Sequence, residues 1–348
     1  MELNNSYNYD TKDKKVHRNL GIETLRMFLC FRIILLHYYS SKNAYILKMK
    51  HNRFQVSCFF FISFYFLYPT VSQRNIQKIR IRLERLLIPY LIYPIINWII
   101  NNAMFLIIKF NRYNRLLTIN DLKIQIIIGR GIYGIATLWF HFNLIIFTIL
   151  FFIGFSLLKQ YNLFFFQIIT MISYHIQYSE MNYIYFNQFT ENIWMSVGNL
   201  IETLPIAIFS LSLASIKFHQ FLLNKRKKYL FFSFVFLNFL SNYRVFAFLR
   251  GFSSTGIKQI FTSLFLFTFF YLIPFENLNL KLLLFIKQLT KYTQGIYCQH
   301  FIFQYYMRLK IEKNGSFLGC IALYIITYII SCIGYNVFSK SKLRLLFN

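Results

Sequence analysis

The sequence predicts an all-α integral membrane protein, a bundle of about ten transmembrane helices, on three observations. Of the 348 residues 57% are hydrophobic and only 14% are charged, whereas an average soluble domain has about 25% charged residues. The apolar residues form repeated runs long enough to cross a bilayer, which takes ~20 helical residues at ~1.5 Å each. The charged residues fall mostly in short segments between these runs. Together these features favour a polytopic helical bundle over a soluble domain.

Ten predicted spans divide the chain. They cover about residues 20–39, 54–69, 86–108, 136–158, 162–178, 193–216, 229–249, 257–275, 293–309 and 317–338. The second span is short and the fifth ends in polar residues, so either of them can be half-inserted. The sequence shows no repeat of fixed period and no appended soluble domain. We therefore predict a polar cytosolic tail over 1–19, one membrane domain over 20–338 and a basic cytosolic tail over 339–348.

The distribution of lysine and arginine predicts the orientation of this bundle. Segments on one side of the ten spans carry 21 of these residues, and segments on the other side carry 14. Cytosolic loops are enriched in positive charge, so the bias places both termini in the cytosol. A net charge of +27 also fits a nucleic-acid-binding protein. Because most of this charge lies between apolar spans and can contact anionic headgroups, we expect membrane lipids and no nucleic acid as partners.

The cysteine pattern gives no sign of a metal site. Five cysteines lie scattered in apolar stretches and form no CxxC pair, so the sequence predicts neither a disulfide framework nor a zinc site. Small core residues are the simplest interpretation of these thiols. We expect no metal and no bound cofactor.

The first span carries the most informative residues. Its sequence, LGIETLRMFLCFRIILLHYY, contains Glu23, Arg26, Arg32 and His37. Ionisable groups at membrane depth are costly and by default mark a functional site. Arg26 and His37 are 11 residues apart, or three turns plus ~20°, which places both on one helix face with ~16 Å between them. The alternative is a snorkelling arginine and an ordinary interfacial histidine.

A basic segment after the second span, QRNIQKIRIRLERLLIPY, indicates a helix that runs into the third span. Arg82 and Arg85 are three residues apart in this segment and therefore share a helix face. Guanidinium groups bind phosphate bidentately, so an arginine pair at a cytosolic entrance suits a phosphate-bearing ligand. The alternative is that both arginines only anchor the loop to lipid headgroups.

Further polar residues lie within or at the ends of other spans. Glu202 is in the sixth span, next to a proline, and a carboxylate inside a span needs a partner. Tyr297 and His300, at i and i+3 of the ninth span, share one helix face. Trp139 and His141 open the fourth span, where interfacial residues of these types are also common. Charged or polar groups in the first, sixth, seventh and ninth spans together predict a polar chamber inside the bundle.

Four motifs follow one another along the chain. They are the Arg26–His37 spacing, the RLERLLIPY segment over 82–90, the LWF run over 138–140 and the YTQGIYCQH segment over 292–300. In this order they resemble the motifs of the acyltransferase-3 family of integral-membrane O-acyltransferases. The resemblance extends over roughly residues 20–335. In one place the sequence departs from the family, which usually has a glycine after the serine of the second span, where this chain has Phe64. A phenylalanine there would narrow the cavity where helices pack closely.

The resemblance implies transfer of an acyl group, often acetyl, from cytosolic acyl-CoA as co-substrate to a hydroxyl of a carbohydrate or lipid-linked acceptor. His37 would act as general base on this hydroxyl, since imidazole titrates near neutral pH. Arg26 would line the acyl-CoA channel or stabilise developing negative charge. The remaining candidates are Arg82 and Arg85 for the CoA phosphates, and Tyr297, His300, Glu202 and Trp139 for the cavity.

Two other classes of protein fit the same pattern. A transporter would also have ten spans and buried charges, and its helices are often broken at prolines such as Pro89, Pro94 and Pro205. Against a transporter, the sequence shows no inverted repeat. The third class is an acyltransferase-like protein that has lost its activity and serves as a binding or scaffold subunit.

Overall fold

The computed structural model describes residues 19–38, 54–108, 115–129, 138–157, 168, 188–241, 255–310 and 317–347. Every regular element within these ranges is helical. The α-helices are α1 Leu20–Tyr38, α2 Phe54–Tyr65, α3 Tyr68–Ser72, α4 Ile76–Ile108, α5 Ile119–Ile128, α6 Leu138–Leu157, α7 Gln188–Ser215, α8 Phe218–Asn224, α9 Arg226–Ser241, α10 Thr255–Leu272, α11 Leu280–Thr290, α12 Thr293–Lys310 and α13 Phe317–Val337. Two short 3-10 helices, Phe275–Asn277 and Lys342–Leu346, follow α10 and α13.

The helix α2 lies at the centre of the bundle, because its sequence, FQVSCFFFISFY, is predominantly apolar around the whole helix. A helix that is hydrophobic all round is buried by its neighbours, and the side chains of Phe60, Phe61 and Phe64 are at most 2% exposed. α2 packs mainly against α7 and α10 and also contacts α1 and α6. α1 in turn packs against α10, α11, α12 and α13. The two helices thus connect the first part of the chain with the last.

Several of these helices are long and apolar enough to cross a membrane. Four candidates are found in the described ranges, at Gln55–Ser72, Ile76–Ile107, Trp139–Leu157 and Phe317–Val337, and a fifth is the pair Thr203–Ser215 and Phe218–Asn224, bent by 61°. This supports an integral membrane protein, while the count of ten spans and the orientation stay predictions. α1 does not qualify because Glu23, Arg26 and Arg32 lie within it. The predicted span 162–178 lies outside the described residues except for residue 168.

The helix α5 is an element that the sequence did not predict. It packs on the second half of α4, where Trp98 Nε1 donates to the Leu117 carbonyl at 2.9 Å and the Asn102 side chain pairs with the Leu117 backbone at 2.7 and 3.0 Å. Nearer the middle of α4, the Tyr90 hydroxyl donates to the Ile126 carbonyl. α5 therefore runs antiparallel to α4 and covers one side of its second half.

A capping box begins α5. The Thr118 hydroxyl accepts a hydrogen bond from the Asp121 backbone N–H at 3.2 Å, and the Asp121 carboxylate accepts one from the Thr118 N–H at 2.7 Å. Arg115 adds two hydrogen bonds to this carboxylate, both at 2.9 Å, and holds the pKa of Asp121 below its ordinary value. Gly129 ends the helix in the left-handed conformation, at φ 69°, which costs glycine little.

The chain after α13, predicted as a basic tail over 339–348, folds back onto the bundle. The Leu346 side chain is 4% exposed, and the Leu346 carbonyl accepts a hydrogen bond from the Tyr93 hydroxyl at 2.6 Å. Lys342 Nζ lies 3.2 Å from the Glu84 carboxylate. Because Gln299 Nε2 also donates to the Tyr93 hydroxyl, at 3.2 Å, this tyrosine joins α4, α12 and the folded tail.

Candidate active site

Two histidines from opposite ends of the chain meet between α1 and α12. The rings of His37 and His300 are stacked, with their centroids 6.0 Å apart and their planes at 29°. His300 is fully buried, and its Nδ1 lies 2.6 Å from the Tyr297 carbonyl oxygen. A carbonyl can only accept, so Nδ1 of His300 carries the proton and the tautomer of this ring is fixed. The first and ninth predicted spans thus contribute to one site.

Aromatic residues close this site on the side of α2 and α6. The Tyr297 ring lies 6.0 Å from the His300 ring, 5.4 Å from Phe140 and 5.7 Å from Phe59. His141 lies beside them, with its Nε2 3.8 Å from Cys298 Sγ. These groups form a largely apolar wall around the histidine pair.

The YTQGIYCQH segment owes its close packing to Gly295. A Cβ atom at this position would come within 2.7 Å of Ser331 Oγ on α13 and 2.8 Å of the Phe347 carbonyl oxygen. Any other residue would therefore push α12 away from α13 and from the folded tail. On the side of α1, the Cys30 thiol lies 3.8 Å from the Thr293 carbonyl. The segment therefore fixes the position of α12 relative to α1.

A second, positively charged site lies along α1, about three turns from His37. Arg26 pairs with Glu23 at 2.9 Å. Arg82 of α4 is largely enclosed: its Nε donates to Thr148 Oγ1 at 3.2 Å, and its guanidinium donates to the Ser63 carbonyl at 3.3 Å. The charges of Arg26 and Arg82 repel each other across this site. The structure thus brings together two arginines that belong to different motifs.

The other predicted site residues have different surroundings. The Arg85 side chain is exposed, and its backbone carbonyl accepts a hydrogen bond from Gln294 at 3.2 Å. Trp139 packs on Phe60 of α2, with ring centroids 5.8 Å apart. Glu202 lies in α7, but its side chain is outside the description, so its place in the cavity stays a prediction.

Sequence reasoning missed several single polar residues that lie in apolar runs. Thr148 binds Arg82, and Asn143 Nδ2 donates to Thr203 Oγ1 at 2.9 Å in the buried contact between α6 and α7. Gln55, in the first turn of α2, is also buried. Their one available signal was a polar side chain inside a hydrophobic stretch. In the ranges that the structure describes, no group of three or more His, Cys, Asp or Glu side chains could hold a metal ion.

Comparison with known families tests the resemblance carried by the four motifs. A family model described as an acyltransferase domain, acyltransferase-3, matches residues 19–336, nearly the whole chain. No curated protein and no solved structure gives a match. The matched region includes both the histidine pair and the arginine site. The family prediction is therefore confirmed, and the chain belongs to the acyltransferase-3 family.

Proposed function

We propose that this protein is a membrane-bound O-acyltransferase that moves an acyl group, acetyl in the simplest case, from acyl-CoA to a hydroxyl of a carbohydrate or lipid-linked acceptor. The observation that carries the proposal is the position of two sites along α1. Arg26 and His37 are ~16 Å apart along the helix. The pantetheine arm of CoA has about as many chain bonds as four extended residues, so it spans roughly 14 Å. A donor with its phosphates at the arginines can therefore place its thioester near His37.

The arginine site has an excess of positive charge. It contains the guanidinium groups of Arg26 and Arg82, and the carboxylate paired with Arg26 is that of Glu23. The Nε–H and one Nη–H of Arg82 donate to neutral oxygens, which do not balance the charge of its guanidinium. A buried charge is costly unless an opposite charge compensates it. A CoA phosphate would supply that charge, and Arg85, exposed one turn further along α4, would bind another phosphate group.

The histidine pair supplies the chemistry. The neutral imidazole of His37 takes the proton from the acceptor hydroxyl as its oxygen attacks the thioester carbonyl carbon. The C–S bond then breaks, and the CoA thiolate leaves and takes the proton back from the His37 imidazolium. His300, held by the Tyr297 carbonyl, positions the His37 ring by stacking. With both termini in the cytosol, as the lysine and arginine bias favours, the arginine site faces the cytosolic pool of acyl-CoA.

Release of free CoA by the purified protein in lipid nanodiscs tests this proposal. The assay combines acetyl-CoA with a panel of glycan and lipid-linked acceptors, and it compares the parent with His37→Gln. We expect the variant to lose roughly 100- to 10,000-fold in rate, the usual contribution of a positioned base. His219→Gln, a histidine of α8 that bonds Tyr65, is the matched control and should stay near the parental rate. A folded His37→Gln protein that transfers acyl groups as fast as the parent would exclude this mechanism.

The bend of 61° between α7 and α8 also fits a transporter, because broken helices are common in that class. The same nanodisc preparation separates the two functions. Movement of an acceptor across the bilayer, without release of free CoA from acetyl-CoA, would support transport. Release of CoA that requires both the acceptor and His37 would support acyl transfer.

A further inference from the structure

One buried amide side chain has no hydrogen-bond partner among the residues that the structure describes. The side chain of Gln55, in the first turn of α2, is 1% exposed. Within the described part of the chain, neither its Oε1 nor its Nε2 has a hydrogen-bond partner. Buried polar side chains in folded proteins are almost always hydrogen-bonded, because an unpaired amide loses its bonds to water and gains nothing in return. Such an amide therefore points to a ligand that completes its hydrogen bonds.

The helical phase of α2 shows which neighbours Gln55 faces. Ser57 and Cys58 face α10, since the Ser57 hydroxyl donates to Gln259 at 2.7 Å and the Cys58 thiol lies 4.0 Å from the Ser263 carbonyl. Phe60 and Phe64 face α6 through their ring contacts. Relative to Gln55, Ser57, Phe60 and Phe64 point roughly 140–180° away around the helix, whereas Cys58, at i+3, is only ~60° away. Gln55 comes one turn before Phe59, only ~40° around the helix from that residue.

The depth of Gln55 matches that of the histidine pair. The Phe59 ring contacts Tyr297, with centroids 5.7 Å apart. α12 runs parallel to α1, since Cys30 meets Thr293 and His37 meets His300. α2 runs parallel to α10, as the Ser57–Gln259 and Phe61–Phe267 contacts show. The start of α1 meets the end of α10, where Asn19 donates to the Tyr271 carbonyl, so α2 and α12 run in opposite directions. A step of one turn from Phe59 back to Gln55 on α2 therefore moves in the same direction as a step of one turn on α12. That step on α12 leads from Tyr297 to His300. Gln55 therefore lies at the depth of His300 and His37, on the side of α2 from which Phe59 contacts Tyr297.

We propose that Gln55 binds the acyl acceptor and selects acceptors with two hydroxyl groups on neighbouring carbon atoms. The inference rests on the proposed acyl transfer. The reacting hydroxyl donates its proton to His37, and its oxygen accepts a hydrogen bond from Gln55 Nε2. The neighbouring hydroxyl donates to Gln55 Oε1. Such a diol satisfies both polar atoms of the buried amide, whereas an alcohol with one hydroxyl leaves Oε1 unpaired.

The test compares Gln55 of α2 with Gln259 of α10, which contacts the opposite side of α2 through Ser57. Gln55→Leu removes the amide without a partner, and Gln259→Leu removes an amide that is hydrogen-bonded to Ser57. The probes are cyclohexane-1,2-diol and cyclohexanol, which differ by one hydroxyl, with acetyl-CoA as donor. We expect the parent to favour the diol in kcat/KM by about 10- to 100-fold, because a site built to bind a hydroxyl rejects the analogue that lacks it.

In Gln55→Leu this preference should be lost through a higher KM for the diol, with the KM for acetyl-CoA unchanged. The thermal stability of this variant should equal or exceed that of the parent, because leucine in an apolar surrounding needs no partner. Gln259→Leu should show the reverse, lower stability and an unchanged preference for the diol. If Gln55→Leu keeps the preference for the diol, Gln55 is a structural residue and the proposal is wrong. The same conclusion follows if Gln55→Leu loses stability, as Gln259→Leu does, while its preference for the diol is unchanged.

Failure of the proposed function would be recognised separately. If the parent transfers acetyl groups to no acceptor on any panel, acyl transfer is wrong, and the binding of cyclohexane-1,2-diol alone then tests Gln55. A diol-dependent rise in the unfolding temperature of the parent that is absent in Gln55→Leu would still support a diol site at this residue. No such rise, or an equal rise in both proteins, would overturn it.

Discussion

Replacing Phe64 with alanine tests whether the aromatic contacts between α2 and α6 hold the arginine site in place. The Phe64 side chain is fully buried, edge-to-face against Phe147 and Phe151, with both centroid distances 5.7 Å. Its neighbour Ser63 provides the carbonyl that accepts a hydrogen bond from Arg82. We therefore expect Phe64→Ala to destabilise the fold and to weaken the binding of acyl-CoA.

The size of the expected loss follows from packing alone. In a bilayer an apolar side chain stays in apolar surroundings when helices separate, so transfer from water contributes nothing. The substitution removes roughly 100 Å³, and at ~24 cal/mol per Å³ of unfilled cavity the cost is about 2.4 kcal/mol. The ring contacts with Phe60, Phe147 and Phe151 add ~0.5 kcal/mol or more each. The free energy of unfolding should fall by about 4 kcal/mol.

Reversible unfolding in mixed micelles, with sodium dodecyl sulfate as denaturant, measures this free energy. The control is Phe261→Ala in α10, where the side chain is 44% exposed and lipid can fill the space, so the loss should stay below ~1 kcal/mol. Phe64→Gly, which restores the residue usual in the family, should lose ~1 kcal/mol more than Phe64→Ala, because glycine disfavours a helix. A Phe64→Ala protein as stable as Phe261→Ala, with an unchanged KM for acyl-CoA, would refute this reasoning.

Three further predictions concern contacts outside the histidine pair. Arg82→Gln should raise the KM for acyl-CoA at least 10-fold, measured by CoA release, while an equal change in the KM for the acceptor would contradict the assignment. Asp121→Asn should lower the free energy of unfolding by about 1 kcal/mol, because it removes part of a helix cap and an ion pair. Arg115 holds the pKa of Asp121 low, so the difference in stability between parent and variant should be present above the ordinary carboxyl pKa. It should vanish as the pH falls through the lowered pKa of Asp121. Tyr93→Phe should cost about 1–3 kcal/mol, since the Leu346 carbonyl loses its hydrogen bond, and an unchanged unfolding midpoint would exclude that role for the tyrosine.

The histidines illustrate how far the sequence predicts the site. Polar residues at fixed spacing in apolar spans indicated His37 and His300 separately, because a buried ionisable group stands out against hydrophobic neighbours. Their contact could not be predicted, since it depends on how α1 packs against α12, more than 250 residues later. For the same reason, the sequence could not show that Arg26 of α1 lies close enough to Arg82 of α4 for their charges to interact.

The missed elements have physical reasons of their own. α5 is only ten residues long and contains Asn120, Asp121 and Lys123, so it lacks the apolar run by which a span is recognised. The residues after α13 look like a basic tail, because the sequence cannot show that Leu346 finds a buried place beside Tyr93. Gln55 was overlooked because one amide at the start of a span is common where a helix meets the headgroups.

The polar character of α1 has a consequence for how the protein enters the membrane. Its three charged residues, Glu23, Arg26 and Arg32, oppose insertion, since a charged residue at the centre of a helix costs ~2.5–3.5 kcal/mol on insertion scales. The Glu23–Arg26 ion pair offsets part of this cost. α6 and α13 are long and apolar and contain no charged residue, so their insertion carries no such cost. The helix that carries the proposed base therefore depends on apolar partners for its own insertion, and substitutions that ease this insertion would remove charged residues of the arginine site.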